Sequence, residues 1–277
     1  MKETEWMVSA PSRPVDLRQD QPHAARVYDV LLGGKTNYAA DRAQAEKIMA
    51  NIPQAVASAR SNRAFVLRAA RFLADSGIRQ FLDIGTGIPT SPNLHEVAQS
   101  ITPSSRVVYA DNDPIVLAHS RALHDSHPEG RTAYLEADAC DVDAILTSPE
   151  VRETLDLDEP VALTLCLLLH WLPKNVDPYP LVRRFLAALP AGSYLVLSHL
   201  GSDFTEATNQ VEKDFEEAGS NVRGRTREEV LRFFDGLELV SPGVVVPQMW
   251  RPDPIDVGSA AGERDVPIWA GVARKDS

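Results

Sequence analysis

The sequence predicts an α/β fold with strands and helices alternating around a parallel sheet, and three observations carry that expectation. An apolar run beginning at Ile78 stops at Asp83, Gly85 and Gly87 and gives way to a helical pattern, which is the strand, tight turn and helix of a nucleotide-binding unit. A second apolar run ends at Asp111, 24 residues after Gly87, close to where such a unit places the acid that grips ribose hydroxyls. Residues 161–169 are the most apolar stretch, broken only by Thr164, the composition of a strand buried on both faces of a parallel sheet.

Taken in order, residues 1–22 are polar, carry prolines at 11, 14 and 22, and read as a tail. Residues 24–32 form a short amphipathic helix stopped by Gly33 and Gly34, followed by the polar and aromatic segment 35–38. That segment is either a loop that meets a ligand or a glycine cap followed by ordinary surface polars. Two helical patterns follow, 41–50 and 58–76, the second with Ala64, Phe65, Leu67, Ala70, Phe72 and Leu73 at helical spacing. They lead into the first strand, and the helix after its turn is expected to start near Ser91 or Pro92 and to carry Leu94, Val97 and Ala98.

Residues 106–110 form the next strand, and Pro114 opens a helix with Ile115, Val116, Ala118 and Leu123. A third strand, 132–136, ends near Asp138, which either accepts from an adenine amino group or caps the helix at 142–146. The apolar strand 161–169 ends at His170. Strand 194–198, after helix 181–189, ends at His199, so both imidazoles are expected at the carboxyl edge of the sheet, where open α/β sheets bind ligands. A helix at 205–218 precedes the basic loop of Arg223, Arg225 and Arg227. Thr226 then caps a helix at 227–234, with Glu229 three residues on. The last strands are 237–240 and 268–273. Between them runs a Pro- and Gly-rich stretch, 241–267, with Trp250 in its middle, and loops of that length are usually functional or disordered.

The glycine turn discriminates between nucleotides. A dinucleotide fingerprint needs a third glycine so that a helix N-terminus can approach a pyrophosphate, and here Gly87 is followed by Ile88, Pro89 and Thr90. Asp83 would repel a pyrophosphate but attract an ammonium group, such as that on the methionine part of S-adenosylmethionine. The alternative reading is a plain tight turn between strand and helix.

Composition narrows the class further. The 277 residues carry 39 acids against 28 Lys and Arg, a formal net charge of −11, which argues against a general nucleic-acid surface and for small molecules or a basic partner. Cys140 and Cys166 are the only cysteines, too few for a disulfide framework or a Cys-rich zinc site, so no metal is expected. The first residues lack a basic segment and an apolar core of the signal-peptide kind, and no apolar run approaches the ~20 residues that span a bilayer. A cytoplasmic protein without a membrane anchor is the expectation.

The order of these motifs resembles the class I S-adenosylmethionine-dependent methyltransferases. More closely, A-R-V-Y-D-V-L-L-G-G-K-T-N-Y-A-A-D-R, D-I-G-T-G-I-P-T, V-V-Y-A-D-N-D-P, V-L-S-H, R-F-F-D-G-L-E-L-V-S-P-G and A-G-V-A-R resemble the family called S-adenosyl methyltransferase, from about residue 12 to the end. The resemblance implies a single Rossmann-like domain with a seven-stranded, mostly parallel sheet, one antiparallel strand and helices on both faces. Residues 23–76 would form an N-terminal helical segment and lid, and 77–277 the core. It implies S-adenosylmethionine as cofactor and S-adenosylhomocysteine as product. Asp83, Gly85, Thr86 and Gly87 would meet the methionine end, Asp111 and Asn112 the ribose, Asp138 and Ala139 the adenine, and Cys166 and Leu167 would lend backbone beside the sulfonium. The class pattern commonly has a third glycine where Pro89 stands here.

The lid would be made by Tyr28, Lys35, Asn37, Tyr38 and Arg42, since an N-terminal segment in this class often folds over the cleft, and Tyr28, Gly33, Gly34 and Lys35 are expected to meet the cofactor. The acceptor is expected to be a small molecule. If it must lose a proton, His170 and His199 have the chemistry of a general base, and the alternative for each is a structural or wall-forming histidine. Arg223, Arg225 and Arg227 could bind an acceptor carboxylate or form a solvated cluster at a helix start. Two rivals from other classes are a non-catalytic S-adenosylmethionine-binding regulator and a nicotinamide-dependent oxidoreductase. The latter would want the missing third glycine and has no use for Asp83 or Asp138.

Overall fold

The computed structural model describes residues 17–116, 126–204, 221–253 and 266–276. Its strands are β1 (Gln80–Ile84), β2 (Arg106–Asp111), β3 (Arg131–Glu136), β4 (Ala162–Cys166), β5 (Tyr194–Leu200), β6 (Glu238–Leu239) and β7 (Ile268–Arg274). They form one sheet in the order β3-β2-β1-β4-β5-β7-β6. Strands β1 to β5 pair in parallel, while β7 runs antiparallel to β5 and β6. The strand order reverses between β1 and β4, and the crevice beyond their carboxyl ends is where such sheets bind ligands.

The helices are α1 (Ala24–Leu32), α2 (Ala39–Asn51), α3 (Ala55–Asp75), α4 (Leu94–Ile101), α5 (Val142–Thr147), α6 (Pro149–Thr154), α7 (Pro178–Ala187) and α8 (Arg227–Leu231). The two-residue period of the strands divides the core. Leu82, Ile84, Leu163, Leu165, Leu195 and Leu197 face a cluster shared with α5, α6, α7 and Phe233. Phe81, Val107, Ala162 and Val196 face the opposite way, onto Phe65, Ala69 and Leu73 of α3 and Leu94 and Ala98 of α4. Every residue of β1 is buried, as a strand covered on both faces requires.

Local chemistry explains most boundaries. Helix α4 starts at Leu94 rather than at Ser91 or Pro92 because Asn93 takes the cap: the Thr90 N–H donates to its Oδ1 at 3.1 Å, and its own N–H donates to Glu96. Strand β4 stops at Cys166, three residues before its expected end, because Leu167 adopts a left-handed φ of 49°. Strand β5 runs on to Leu200 because β7 pairs with it through Ile268. The long stretch after β6 is, in its described part, packed and not free: Trp250 is fully buried, edge-on to Phe65 and Phe72, and Arg68 donates to the carbonyls of Pro247 and Trp250. The helix expected at 205–218, the continuation of the helix begun at Pro114 and residues 1–16 of the tail lie outside the described residues. Among those described, no helix is long and apolar enough to cross a membrane.

Candidate active site

The turn after β1 is tied to the end of β2. The Gly85 N–H donates to the Ala110 carbonyl at 2.7 Å and the Gly87 N–H to Asp111 Oδ2 at 2.9 Å. Both glycines have φ near +70°, and a Cβ on Gly85 would sit 2.6 Å from Leu168 Cδ1, so the turn lies against the segment that follows β4. Asp111 Oδ1 accepts from the Asp113 N–H at 3.0 Å, and burial holds its carboxyl above the usual carboxylate range. Two oxygens with about four lone-pair sites leave this carboxylate room for ribose hydroxyls.

Asp83 is buried at the end of β1, and burial pushes its pKa up to about 6, against the pull of a Thr86 hydrogen bond and the nearby Arg63 guanidinium. A carboxylate in that position is stabilised by an arriving ammonium group, so the donor set fits the methionine end of S-adenosylmethionine. Arg63, half-buried on α3, donates to the carbonyls of Thr90 and Pro92 and so holds the far side of the same turn.

Beneath the crevice runs a buried network. Tyr28 donates to the Ala59 carbonyl at 2.9 Å and accepts from Asn62 Nδ2 at 3.0 Å. Ser198 donates to Asn62 Oδ1 at 2.6 Å, and the Leu167 N–H donates to Ser198 Oγ at 3.1 Å. Burial pushes the Tyr28 pKa up to about 12, and burial beside Asp83 pushes the Cys166 thiol up as well, so neither group is ionised at neutral pH.

The N-terminal helices reach both ends of this edge. His23 Nδ1 lies 3.2 Å and Arg26 Nε 3.4 Å from Asp113 Oδ2, just past β2, and Ala25 lies over Gly87. Ile48, Met49, Ile52 and Leu31 pack with Trp171, Leu200 and Val222 beyond β4 and β5. Gly33 closes α1 with φ +83°. Gly34 is tight against Asp29, whose carboxylate accepts from the Thr36 N–H and the Asn37 amide, and Lys35 is exposed beside them. After β3, where an adenine contact is expected, Asp138 is exposed and accepts from the Cys140 N–H at 2.8 Å, with Ala139 buried next to it. The cap of α5 is Asp141, not Asp138, which removes the capping alternative. Asn112 is exposed after β2.

The histidines depart from the expected arrangement. His199 lies inside β5, and the pleat turns it to the face opposite Ser198, toward Phe233. Its Nδ1 lies 2.8 Å from the Leu200 carbonyl and its Nε2 2.7 Å from Arg225 Nη1, a pattern that assigns the neutral ring with the proton on Nδ1. Both nitrogens are engaged, and burial with His170 and Arg225 nearby keeps its pKa well below the ordinary value. His170 sits in the 3₁₀ turn Leu169–Trp171, its ring 5.4 Å from that of His199. Among the described residues its buried Nδ1 has no hydrogen-bond partner, and burial lowers its pKa to about 3. The basic loop is not uniformly solvated either: Arg223 is exposed, but Arg225 keeps only 4% of its surface.

Sequence reasoning missed Arg63, Asn62, Ser198, Arg26 and Asp113. Asn62 alone left a trace, as a polar residue on the otherwise apolar stripe of Ala55, Ala59, Val66, Ala69 and Leu73. An open depression of about 790 Å³, lined by Arg79, Gln80, Arg106, Glu159, Tyr194 and Arg274, lies at the amino edge of the sheet, away from the glycine turn.

Comparison with known proteins shows the family and the fold. A DUF574 family protein from Streptomyces avermitilis MA-4680 is 46% identical, covers 94% of this chain and all of its own, and superposes with a TM-score of 0.91. A candidate methyltransferase from Thermobifida fusca YX is 41% identical over 94% of this chain and 97% of its own, with a TM-score of 0.86. The plantazolicin methyltransferase BamL, solved with S-adenosylhomocysteine, shares the fold at 12% identity, with a TM-score of 0.53 over 92% of this chain and 96% of its own. No curated protein matches. The profile of the S-adenosyl methyltransferase family matches residues 10–276, and the chain belongs to that family, as an S-adenosylmethionine-dependent methyltransferase with a seven-stranded, mostly parallel Rossmann-like sheet.

Proposed function

We propose that the enzyme moves the methyl group of S-adenosylmethionine to a small-molecule acceptor by in-line displacement, in the space between the glycine turn and the N-terminal helices. The observation that carries this reading is the seating of α1 and α2 on both ends of the sheet's carboxyl edge, at Asp113 and at Trp171, Leu200 and Val222. Helices seated at both ends of that edge suit a small acceptor better than a macromolecular surface, and the net charge of −11 argues against nucleic acid.

The cofactor supplies a methyl group on a sulfonium, which needs no covalent help from the protein. The residues therefore bind, orient and exclude water, and alignment alone contributes roughly 7–11 kcal/mol. Asp83 and Arg63 hold the methionine end, Gly85, Thr86 and Gly87 give close backbone approach, Asp111 and Asn112 bind the ribose, and Asp138 and Ala139 bind the adenine. Cys166 and Leu167 present backbone beside the reacting carbon, positioned by Ser198. Tyr28, Gly33, Gly34 and Lys35 belong to the lid. His170 forms a wall of the acceptor space, and His199 acts through Arg225, since its own nitrogens are occupied.

Calorimetry with S-adenosylhomocysteine and NAD tests the cofactor assignments. Asp111→Ala and Arg63→Met should each weaken S-adenosylhomocysteine about tenfold or more, the scale of hydrogen bonds to charged groups, and neither should bind NAD. An unchanged affinity in both variants rejects those roles. Transfer from a labelled methyl donor to a small-molecule library tests the acceptor class, and labelling found only on macromolecules rejects it.

A further inference from the structure

Arg225 is an anomaly in this chain. A buried guanidinium is ordinarily paired with a carboxylate, because an isolated charge held away from water is strongly destabilising. Arg225 is 4% exposed, yet among the described residues no carboxylate lies within ion-pair distance of it. The groups in contact with it are uncharged, His199 Nε2 at 2.7 Å, Tyr179, which is also its hydrogen-bond partner, with its ring at 5.8 Å, and the Phe233 ring at 5.6 Å, while Arg223 and Glu229 act on it from beyond ion-pair distance and in opposite senses. Glu228, the nearest acid in sequence, is exposed. Glu229 accepts from the Thr226 N–H at 2.9 Å and reaches Arg223 at 3.9 Å, so it favours the Arg225 charge only from beyond ion-pair distance.

The backbone fixes Arg225 at the reacting edge. Its N–H donates to the Leu200 carbonyl, and the Arg223 N–H donates to the His170 carbonyl, so this loop joins the carboxyl ends of β4 and β5. Leu168, two residues before His170, lies against Gly85 of the glycine turn. His170 adds to the same cluster a buried Nδ1 with no partner among the described residues. With Arg223 and Glu229 paired to each other, the Arg225 charge is the one without a contacting acid among the described residues, and a guanidinium fork matches a carboxylate through two parallel hydrogen bonds.

We propose that the methyl acceptor is a small monocarboxylate, and that its carboxylate is anchored by Arg225 while another atom of the acceptor meets the methyl group. This rests on the small-molecule reading above and narrows it. His199 is then a positioning residue: its Nδ1–H bond to the Leu200 carbonyl directs its Nε2 lone pair at Arg225 and fixes the fork.

The test uses the full chain saturated with S-adenosylhomocysteine. Thermal shift and calorimetry follow benzoate, phenylacetate, indole-3-acetate and hexanoate, each against its primary amide. At least one carboxylate should bind about tenfold or more tightly than its amide, as expected for a charge-assisted pair. Arg225→Gln should abolish that preference while S-adenosylhomocysteine affinity stays unchanged, and Arg223→Gln should keep it. If Arg225→Gln does not fold, Arg225→Lys should retain the sign of the preference and lose most of its size. Equal binding of every acid and amide, or a preference that survives loss of the guanidinium, overturns the proposal and leaves the methyltransferase reading intact. Failure to bind S-adenosylhomocysteine overturns both.

Discussion

Ser198 on β5 donates to Asn62 on α3 across 2.6 Å, and this one bond ties the helix that carries the lid to the strand that positions Leu167. Asn62 also donates to Tyr28, so its amide serves both the floor and the lid of the cleft.

Asn62→Leu should therefore destabilise the protein by about 1–3 kcal/mol, because it removes the donor to the buried Tyr28 hydroxyl and the acceptor of the buried Ser198 hydroxyl, which keep Ala59 and Leu167 as partners. Ser198→Ala should cost less. Combined, the two should be markedly non-additive, since the second change removes a group whose acceptor the first has already taken away. Urea denaturation of the single and double variants measures this, and simple additivity would show that the bond is not a coupling point.

The cofactor site should report pH through Asp83. Its folded pKa stands at about 6, above its ordinary 3.8, so the folded protein holds this proton more tightly than the unfolded chain. Stability of the cofactor-free protein should accordingly fall as pH rises from about 4 to about 6. Binding of an ammonium group favours the ionised form, so affinity for S-adenosylhomocysteine should rise over the same interval, by up to about tenfold per pH unit. Asp111, also raised by burial, acts in the same direction. Calorimetry between pH 5 and 8 checks this: Asp83→Asn should bind weakly with a much flatter profile, and a flat profile in the unaltered protein would remove Asp83 from the site.

Two glycine substitutions separate backbone strain from close approach. Gly33→Ala meets nothing within 4 Å and carries only the cost of a left-handed residue, about 1 kcal/mol. Gly85→Ala carries the same strain and must also displace Leu168, whose Cδ1 would lie 2.6 Å from the new methyl. It should lower the melting temperature further and abolish cofactor binding. Equal effects of the two would mean that Leu168 gives way freely.

Removing residues 1–42 strips α1 from Asp113 and takes Leu31 from the cluster of Trp171, Leu200 and Val222, which keeps Ile48, Met49 and Ile52. The sheet should still fold, with much weaker S-adenosylhomocysteine binding. Affinity equal to that of the whole chain would show that these helices are not a lid.

The turn at Asp83, Gly85 and Gly87, the acid at Asp111, the α1 stop at Gly33 and the Thr226 cap were all legible in the sequence, because each is a local matter of periodicity, glycine freedom or a capping hydroxyl within a few residues. The direction of His199 was not legible. It depends on β5 running on to Leu200 against β7 and on the pleat turning alternate residues to opposite faces, so a strand taken to end at Ser198 misplaces the ring. The partnership of Asn62 with Ser198, 136 residues away, and the burial of Arg225 under Tyr179 and Phe233 were likewise decided only by packing. Local chemistry chose the elements and the cofactor turn. Which side chains share a face, and which charge has no contacting acid among the described residues, were set by strand register and helix docking between segments far apart in the chain.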